Sequence, residues 1–134
     1  MATVYTNVTR DFKDLDLNMN IHPVRKDVNK HVGDLAVINS IKNILSTNKN
    51  ERLFNPSFGG NIRALLFENA DNLTAIRMEK QIVNLVENFE PRASISKVVV
   101  TPEPDTNAFK VYLEFFIVNR TDPIAITFQL ERTR

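Results

Sequence analysis

The chain of 134 residues contains no cysteine, no tryptophan and only three glycines. Without cysteine, the chain has no disulfide, no thiolate nucleophile and no cysteine-based metal site. No N-terminal run is apolar enough for a signal peptide, and no stretch approaches the roughly 20 apolar residues of a transmembrane helix. We therefore expect a soluble protein that is made in a cytoplasm and has no membrane partner.

Signals for catalysis and metal binding are also scarce. The two histidines, His22 and His31, have no ligand-like companion at helical spacing, and the HExxH, GxSxG and GxxxxGK motifs are absent. A glycosidase needs two carboxyl groups at a defined separation, which the sixteen acidic residues do not reveal from sequence. We predict no catalytic residue, no metal, no cofactor and no small-molecule substrate, and hence no enzyme.

The charge distribution argues against nucleic acid as a partner. The net charge is +1, and both signs are spread along the chain. The densest basic patch, Arg25-Lys26, is interrupted by Asp27. Phosphate binding needs a clustered basic face, so we expect no nucleic-acid binding.

The chain length fits a single domain, residues 1–134, with residues 1–11 as a flexible polar lead. Apolar residues Leu15, Leu17 and Met19 alternate with polar ones, which predicts a strand with one buried face. Helical periodicity follows in two long stretches, one from Asp34 as N-cap and one from about Leu73 to Phe89.

Beyond Arg92 the apolar period changes to two, which predicts a meander of about three strands. Its last strand alternates apolar residues at Ile124, Ile126, Phe128 and Leu130. The predicted fold class is α+β: an antiparallel sheet, made of the N-terminal strand and the C-terminal three-strand meander, covered by two amphipathic helices.

Between the two helical stretches lies a loop with aromatics, proline and adjacent glycines. We predict an ordered structural loop with its rings tucked beneath it, because exposed phenylalanines forfeit burial energy of about 2 kcal/mol each. Gly59-Gly60 is interpreted as a turn that leads into a short helix. The loop residues singled out are Arg52, Phe54, Pro56, Phe58 and Gly59.

The junction between helix and sheet is Asn88-Phe89-Glu90-Pro91-Arg92. Pro91 ends the helix because it has no amide to donate and restricts the residue before it. Glu90 and Arg92 are therefore held on a stiff corner. From the residues alone, an internal ion pair at a helix stop and a recognition site for a partner are equally good interpretations.

Four segments together carry a resemblance to a known family. They are Ser40 to Asn43, the loop Arg52 to Gly59, the helix end Leu65 to Asn69, and Asn88 to Arg92. Their order and spacing resemble the lysozyme-like (sheath-initiator) baseplate wedge proteins of contractile-tailed phages, which are related to a type VI secretion baseplate component. Asn50 stands where that family more often has glycine, and asparagine also tolerates a left-handed conformation.

The resemblance implies a structural role in the virion, at the tail baseplate, after assembly in the host cytoplasm. It implies that Glu90, Pro91 and Arg92 bind the helical core bundle formed by other baseplate wedge proteins. It also implies that tail sheath subunits start to assemble on the sheet, where we expect the strand with Ile124, Ile126, Phe128 and Leu130 to face the sheath by strand addition.

Two alternatives stay open at this point. One is a lysozyme-like peptidoglycan hydrolase, which the family's description suggests. The other is a cytoplasmic protein-interaction module on the same fold.

Overall fold

A computed structural model describes residues 12–16, 18–118 and 120–131. It confirms the α+β class, with three helices and two antiparallel sheets. The predicted lead, residues 1–11, lies outside the described residues. In chain order the elements are β1 (Lys13–Leu15), β2 (Lys30–Val32), α1 (Asp34–Ser46), α2 (Ile62–Leu66), α3 (Asn72–Phe89), β3 (Ala93–Glu103), β4 (Ala108–Ile117) and β5 (Pro123–Glu131).

The three C-terminal strands form the predicted meander, in the order β3-β4-β5. The helix α3 lies over β3, and α1 packs against α3. The central strand β4 alternates between core and outer face, and its core-facing side chains are fully buried. These buried side chains are Phe109, Val111, Leu113, Phe115 and Ile117.

The strand β5 lies at the edge farthest from α3, so the helical layer covers its inner face incompletely. Its four predicted apolar residues point toward the core, yet each stays partly exposed. The intervening residues of β5 are exposed on the outer face. A partly covered apolar row therefore runs along one edge of the sheet.

The N-terminal strand departs from its prediction. β1 pairs with β2 in a separate two-stranded sheet and does not join the meander. Leu15 and Met19 are exposed while Asp16 is buried, so the predicted buried apolar face is wrong; Leu17 lies outside the described residues. Met19 has a φ of +53°, which a strand does not allow.

Hydrogen bonds explain the burial of Asp16. Its carboxylate accepts the backbone N–H of Asn18 at 2.9 Å and the side-chain amide of Asn20 at 2.8 Å. The imidazole Nε2 of His31 lies 3.3 Å from it. The bond from the Asn18 amide heads the interactions that lower the pKa of Asp16. Polar bonding within the turn outweighs the apolar alternation on which the strand prediction relied.

The helix boundaries are close to their predictions. The first helix starts at Asp34, with Gly33 at a φ of +67° as the residue before it, so Asp34 lies in the first turn and is not the N-cap. Asn50 has a φ of +65°, the left-handed conformation expected of it after the first helix. The N-cap of α3 is Asp71, whose side chain accepts the N–H of Thr74 at 2.8 Å.

Candidate partner-binding surfaces

Glu90 and Arg92 form a two-point ion pair within the chain. The Nε and Nη2 atoms of Arg92 donate to the two carboxylate oxygens of Glu90, each at 2.6 Å. Glu90 is 2% exposed, whereas the Arg92 side chain is 29% exposed. Pro91 creates the geometry, since it ends α3 and turns the chain so that residues two apart face each other.

The surroundings of the pair hold both charges in place. Burial raises the pKa of the Glu90 carboxyl, but hydrogen bonds from Arg92 and Ser40 and the guanidinium charge outweigh it, so this pKa lies below its ordinary value. The hydrogen bond to Glu90 raises the pKa of Arg92, and the charge of Asp14 adds to that rise. The Phe12 ring centroid lies 5.1 Å from the guanidinium carbon of Arg92.

Only part of the corner is therefore exposed to solvent. Of the two interpretations left open by the sequence, the internal ion pair is present, but it does not exclude recognition by Arg92. Glu90 is buried and its carboxylate binds the Arg92 guanidinium, so the Glu90 side chain does not face outward in the isolated chain, and its predicted contact with a partner stays a prediction. The exposed part of the corner consists of Pro91 and the outer side of Arg92.

The loop between α1 and α2 has only one of its two phenylalanine rings tucked in. The Phe58 ring lies 4.8 Å from that of Phe89, and the Arg52 guanidinium carbon lies 3.9 Å above the Phe58 centroid. Phe54 is fully exposed, so the predicted burial is wrong for that ring. Pro56 is exposed and accepts the N–H of Asn50 at 2.9 Å.

Close packing explains the two glycines of this loop. Gly59 has a φ of +93°, and a Cβ there would lie 2.5 Å from the carbonyl oxygen of Thr47. A Cβ at Gly60 would lie 2.4 Å from the side chain of Leu85. The interpretation of Gly59-Gly60 as a turn leading into a helix is confirmed, since α2 follows at Ile62.

The C-terminal end of the β3 edge is blocked by the chain itself. The backbone N–H of Val100 donates to the Glu79 carboxylate at 2.8 Å, so it points away from β4. Pro102, two residues further on, faces the same way and has no N–H to offer. The pairing with β4 is also irregular between Ile95 and Lys97. Bound amides, prolines and bulges are features that keep an edge strand from pairing with another chain.

Within the described residues, no strand pairs with the outer edge of β5. Hydrogen-bonding direction alternates along antiparallel strands, and Val100 is opposite Val111, so Val111 bonds toward β5. Its partner there is Phe128, which therefore bonds back to β4. Thr127 and Gln129, which flank Phe128, therefore direct their N–H and C=O groups outward. The side chains predicted to face the sheath thus point to the core, and the main chain between them is available.

Within the described ranges, no group of three or more histidine, aspartate or glutamate side chains is arranged to hold a metal ion. A shallow groove of mixed charge lies between α3 and β3, lined among others by Glu79, Lys80, Glu87 and Lys97. No helix in the described part of the chain is long and apolar enough to cross a membrane.

Comparison with known proteins identifies the family. The family model described as "Baseplate wedge protein gp25" matches residues 32–120, which is more than half of the chain. The chain belongs to the gp25 family of baseplate wedge proteins. The resemblance inferred from the sequence is therefore confirmed. The baseplate wedge protein gp25 of Enterobacteria phage T4 is 34% identical over 118 residues, covering 88% of this chain and 89% of the T4 protein.

Two solved structures share the fold of this gp25-family chain. A putative tail lysozyme from Geobacter sulfurreducens has a TM-score of 0.68 and 20% identity, over 75% of this chain and 92% of that one. A chain of the anti-feeding prophage baseplate has a TM-score of 0.63 and 18% identity, over 92% of this chain and 88% of that one. At these identities the two likenesses show the fold alone.

Family membership supports a structural, non-enzymatic role at the tail baseplate, which implies contact with other baseplate proteins. Sequence reasoning missed the hydrogen bonds that Glu79 and Ser40 make, and it missed the exposure of Leu53 and Phe54. Pro102 within a strand pattern was the one available signal for the closed β3 edge, since proline in a sheet is confined to edges and bulges.

Proposed function

We propose that this chain is a wedge component with two partner surfaces. The corner at Pro91 and Arg92 binds the helical core bundle of the wedge. The β5 edge accepts an extended arm of a tail sheath subunit and so starts the sheath. Both contacts form in the host cytoplasm during assembly and persist in the virion.

The geometry of Arg92 supports the first contact. Glu90 fixes Nε and Nη2, and this leaves the Nη1 group for acceptors on a partner. A guanidinium that is already oriented loses little side-chain entropy on binding. Helices end in unpaired carbonyl groups and often carry carboxylates, which are suitable acceptors for it.

The asymmetry of the two sheet edges carries the second contact. Glu79 and Pro102 block the C-terminal end of β3, and its pairing is irregular between Ile95 and Lys97, whereas β5 leaves its outward N–H and C=O groups unpaired along its length within the described residues. An added strand would gain main-chain hydrogen bonds and would also cover the partly exposed apolar row. One extended segment with alternating polar and apolar side chains could therefore pair with the main chain of β5 and cover its apolar row.

The wedge contact is tested with the paired substitution Glu90→Met with Arg92→Met. Replacing a buried ion pair by apolar side chains of similar length is often neutral for stability, so the chain is expected to stay folded. Incorporation into wedges reconstituted from the other wedge proteins of the same tail should be lost. Normal incorporation of this folded variant would reject a recognition role for the corner.

The sheath contact is tested with Thr127→Pro, which removes one outward N–H from β5 and none of those bonded to β4. Wedges and baseplates should form with this variant, while polymerisation of purified sheath subunits on them should fail. Thr127→Val keeps the N–H and should behave like the wild-type chain. Equal sheath initiation by the proline and valine variants would reject β5 as the platform.

Family membership favours this proposal over a free cytoplasmic interaction module. The lysozyme alternative is tested directly by incubating the purified chain with peptidoglycan. Cleavage that a single glutamate-to-glutamine change abolishes would overturn the structural role.

A further inference from the structure

The tip of the loop between α1 and α2 exposes two adjacent apolar side chains, Leu53 at 92% and Phe54 in full. Their neighbours Glu51, Arg52 and Asn55 are exposed and polar. Two adjacent, fully exposed large apolar side chains within a polar rim form an apolar patch of the kind that marks a protein interaction site. The surface is convex, so it needs a partner with an apolar hole.

Hydrogen bonds hold this tip in one conformation. The N–H of Asn55 donates to the carbonyl of Arg52 at 3.3 Å, and the N–H of Asn50 closes the loop onto Pro56. The Glu51 carboxylate accepts the N–H of Asn48 at 2.7 Å. Little conformational entropy remains to be lost when such a loop binds, so apolar burial converts efficiently into affinity.

The loop is also coupled to the corner. Phe58 packs on Phe89, the last residue of α3 and the one before Glu90. The Arg52 guanidinium covers the other part of the same ring. The loop and the corner are thus joined through one aromatic contact, which fixes the base of the loop relative to the end of α3.

A helical bundle offers the matching surface, because four side chains on adjacent turns of packed helices surround a hole that accepts one leucine or phenylalanine. A lipid surface fits less well: Glu51 stands among Lys49 and Arg52, so the rim lacks the basic cluster that attracts anionic headgroups. We propose that Leu53 and Phe54 are an apolar anchor that inserts between helices of the wedge core bundle, beside the Arg92 contact. This inference rests on the proposed function for the identity of its partner.

The test is Leu53→Ser with Phe54→Ser in the full chain. Both side chains are exposed, so the unfolding free energy should stay within the range of ordinary surface changes. The affinity for the reconstituted core-bundle proteins should fall by at least about thirtyfold, the loss typical of hot-spot truncation. Val24→Ser, at an exposed apolar residue of the β1–β2 hairpin, is the matched control and should bind normally.

A photoreactive benzoylphenylalanine at position 54 identifies the occupant. Cross-links are expected on a core-bundle protein, at apolar positions three or four residues apart. Cross-links to sheath subunits, to a second copy of this chain, or flotation of the wild-type chain with anionic vesicles would overturn the inference.

The two proposals fail in different ways. If the serine variant binds the bundle normally while the paired methionine variant does not, the anchor is rejected and the corner contact stands. If the serine variant fails and the methionine variant binds, the anchor stands and the Arg92 contact is rejected. If the wild-type chain does not bind the bundle proteins, both are rejected.

Discussion

The corner at Glu90 and the edge at β5 treat their polar groups in opposite ways. At the corner, a carboxylate that is 2% exposed has its counter-ion and its hydrogen bonds inside the chain. Along β5, main-chain N–H and C=O groups point outward without a partner in the described part of the chain. The corner is therefore packed like a part of the core, with only the Arg92 guanidinium reaching the surface. The β5 edge instead has main-chain groups to which another strand could bond.

The difference separates stability from assembly. Where the chain satisfies its own polar groups, a substitution leaves a buried group unpaired and costs folding free energy. Where the groups are left open to water, a substitution costs the isolated chain almost nothing and affects only what docks there. The expected effects on stability therefore decrease from the corner to the edges of the sheet.

The largest effect is expected from Arg92→Ala. It leaves the Glu90 carboxylate buried without its counter-ion, with Ser40 as a remaining donor. Removing one partner of a buried pair typically costs about 3 kcal/mol or more. The free energy of unfolding, measured by urea denaturation, should fall by about that amount.

The paired methionine substitution is the control for this prediction. It removes both charges together, so its unfolding free energy should lie closer to the wild type than that of Arg92→Ala. A change below about 0.5 kcal/mol for Arg92→Ala, the size of an ordinary surface substitution, would show that the pair is no part of the core.

A smaller effect is expected from acid. The pKa of Glu90 is lower in the folded chain than in the unfolded chain, so its pairing stabilises the fold fully above the ordinary glutamate pKa of about 4.3. This contribution is lost as the pH falls through the lower, folded pKa. On acidification the wild type should therefore lose more unfolding free energy than the paired methionine variant does.

This comparison isolates Glu90 from other carboxylates. Asp16 and Asp71 also have lowered pKa values, but they are present in both chains and their contributions cancel. Denaturation curves from pH 7 to pH 3 give the difference directly. A constant difference across that range would contradict the ion pair as a source of stability.

Sequence patterns predicted the helices and the meander because these depend on local apolar periodicity. Pro91 fixed the end of α3, and β-branched and aromatic residues marked all three C-terminal strands. The same reasoning failed at Asp16 and Phe54, where the pattern is local but the outcome depends on other segments. Asp16 is buried with His31 and two asparagines around its carboxylate, and Phe54 is exposed at the loop tip while Phe58 packs on Phe89.

The candidate surfaces were only partly predictable for a related reason. The Glu90–Arg92 pair follows from two residues beside a proline, so sequence alone identified it as one of two outcomes. The closure of β3 depends on Glu79, which is 21 residues before Val100 in the chain. An i,i+2 pair can be inferred from spacing, but a long-range bond requires knowledge of how α3 lies on β3.

The smallest effect on stability is expected from Glu79→Ala. This substitution removes the acceptor of the Val100 amide on β3, so that the amide can be compared with the outward amides of β5. Loss of one partly buried hydrogen bond to a charged group should lower the unfolding free energy by about 1.5 kcal/mol. The amide of Val100 should then exchange with solvent much faster, at a rate similar to that of Thr127 on the open β5 edge. Amide hydrogen exchange followed by NMR measures both residues in one sample.

Phe128 supplies the internal control, because its N–H bonds to β4 and should stay protected in the wild type and in the variant. Slow exchange at Thr127 in the wild-type chain would mean that its N–H is already bonded. It would contradict the proposal that β5 is the open edge of the sheet. Pro102 and the irregular pairing between Ile95 and Lys97 remain in the variant, so β3 regains only a short run of outward donors while β5 keeps an uninterrupted one. The variant should therefore gain solvent access at β3 without gaining a second platform, and sheath growth should still start from β5 alone.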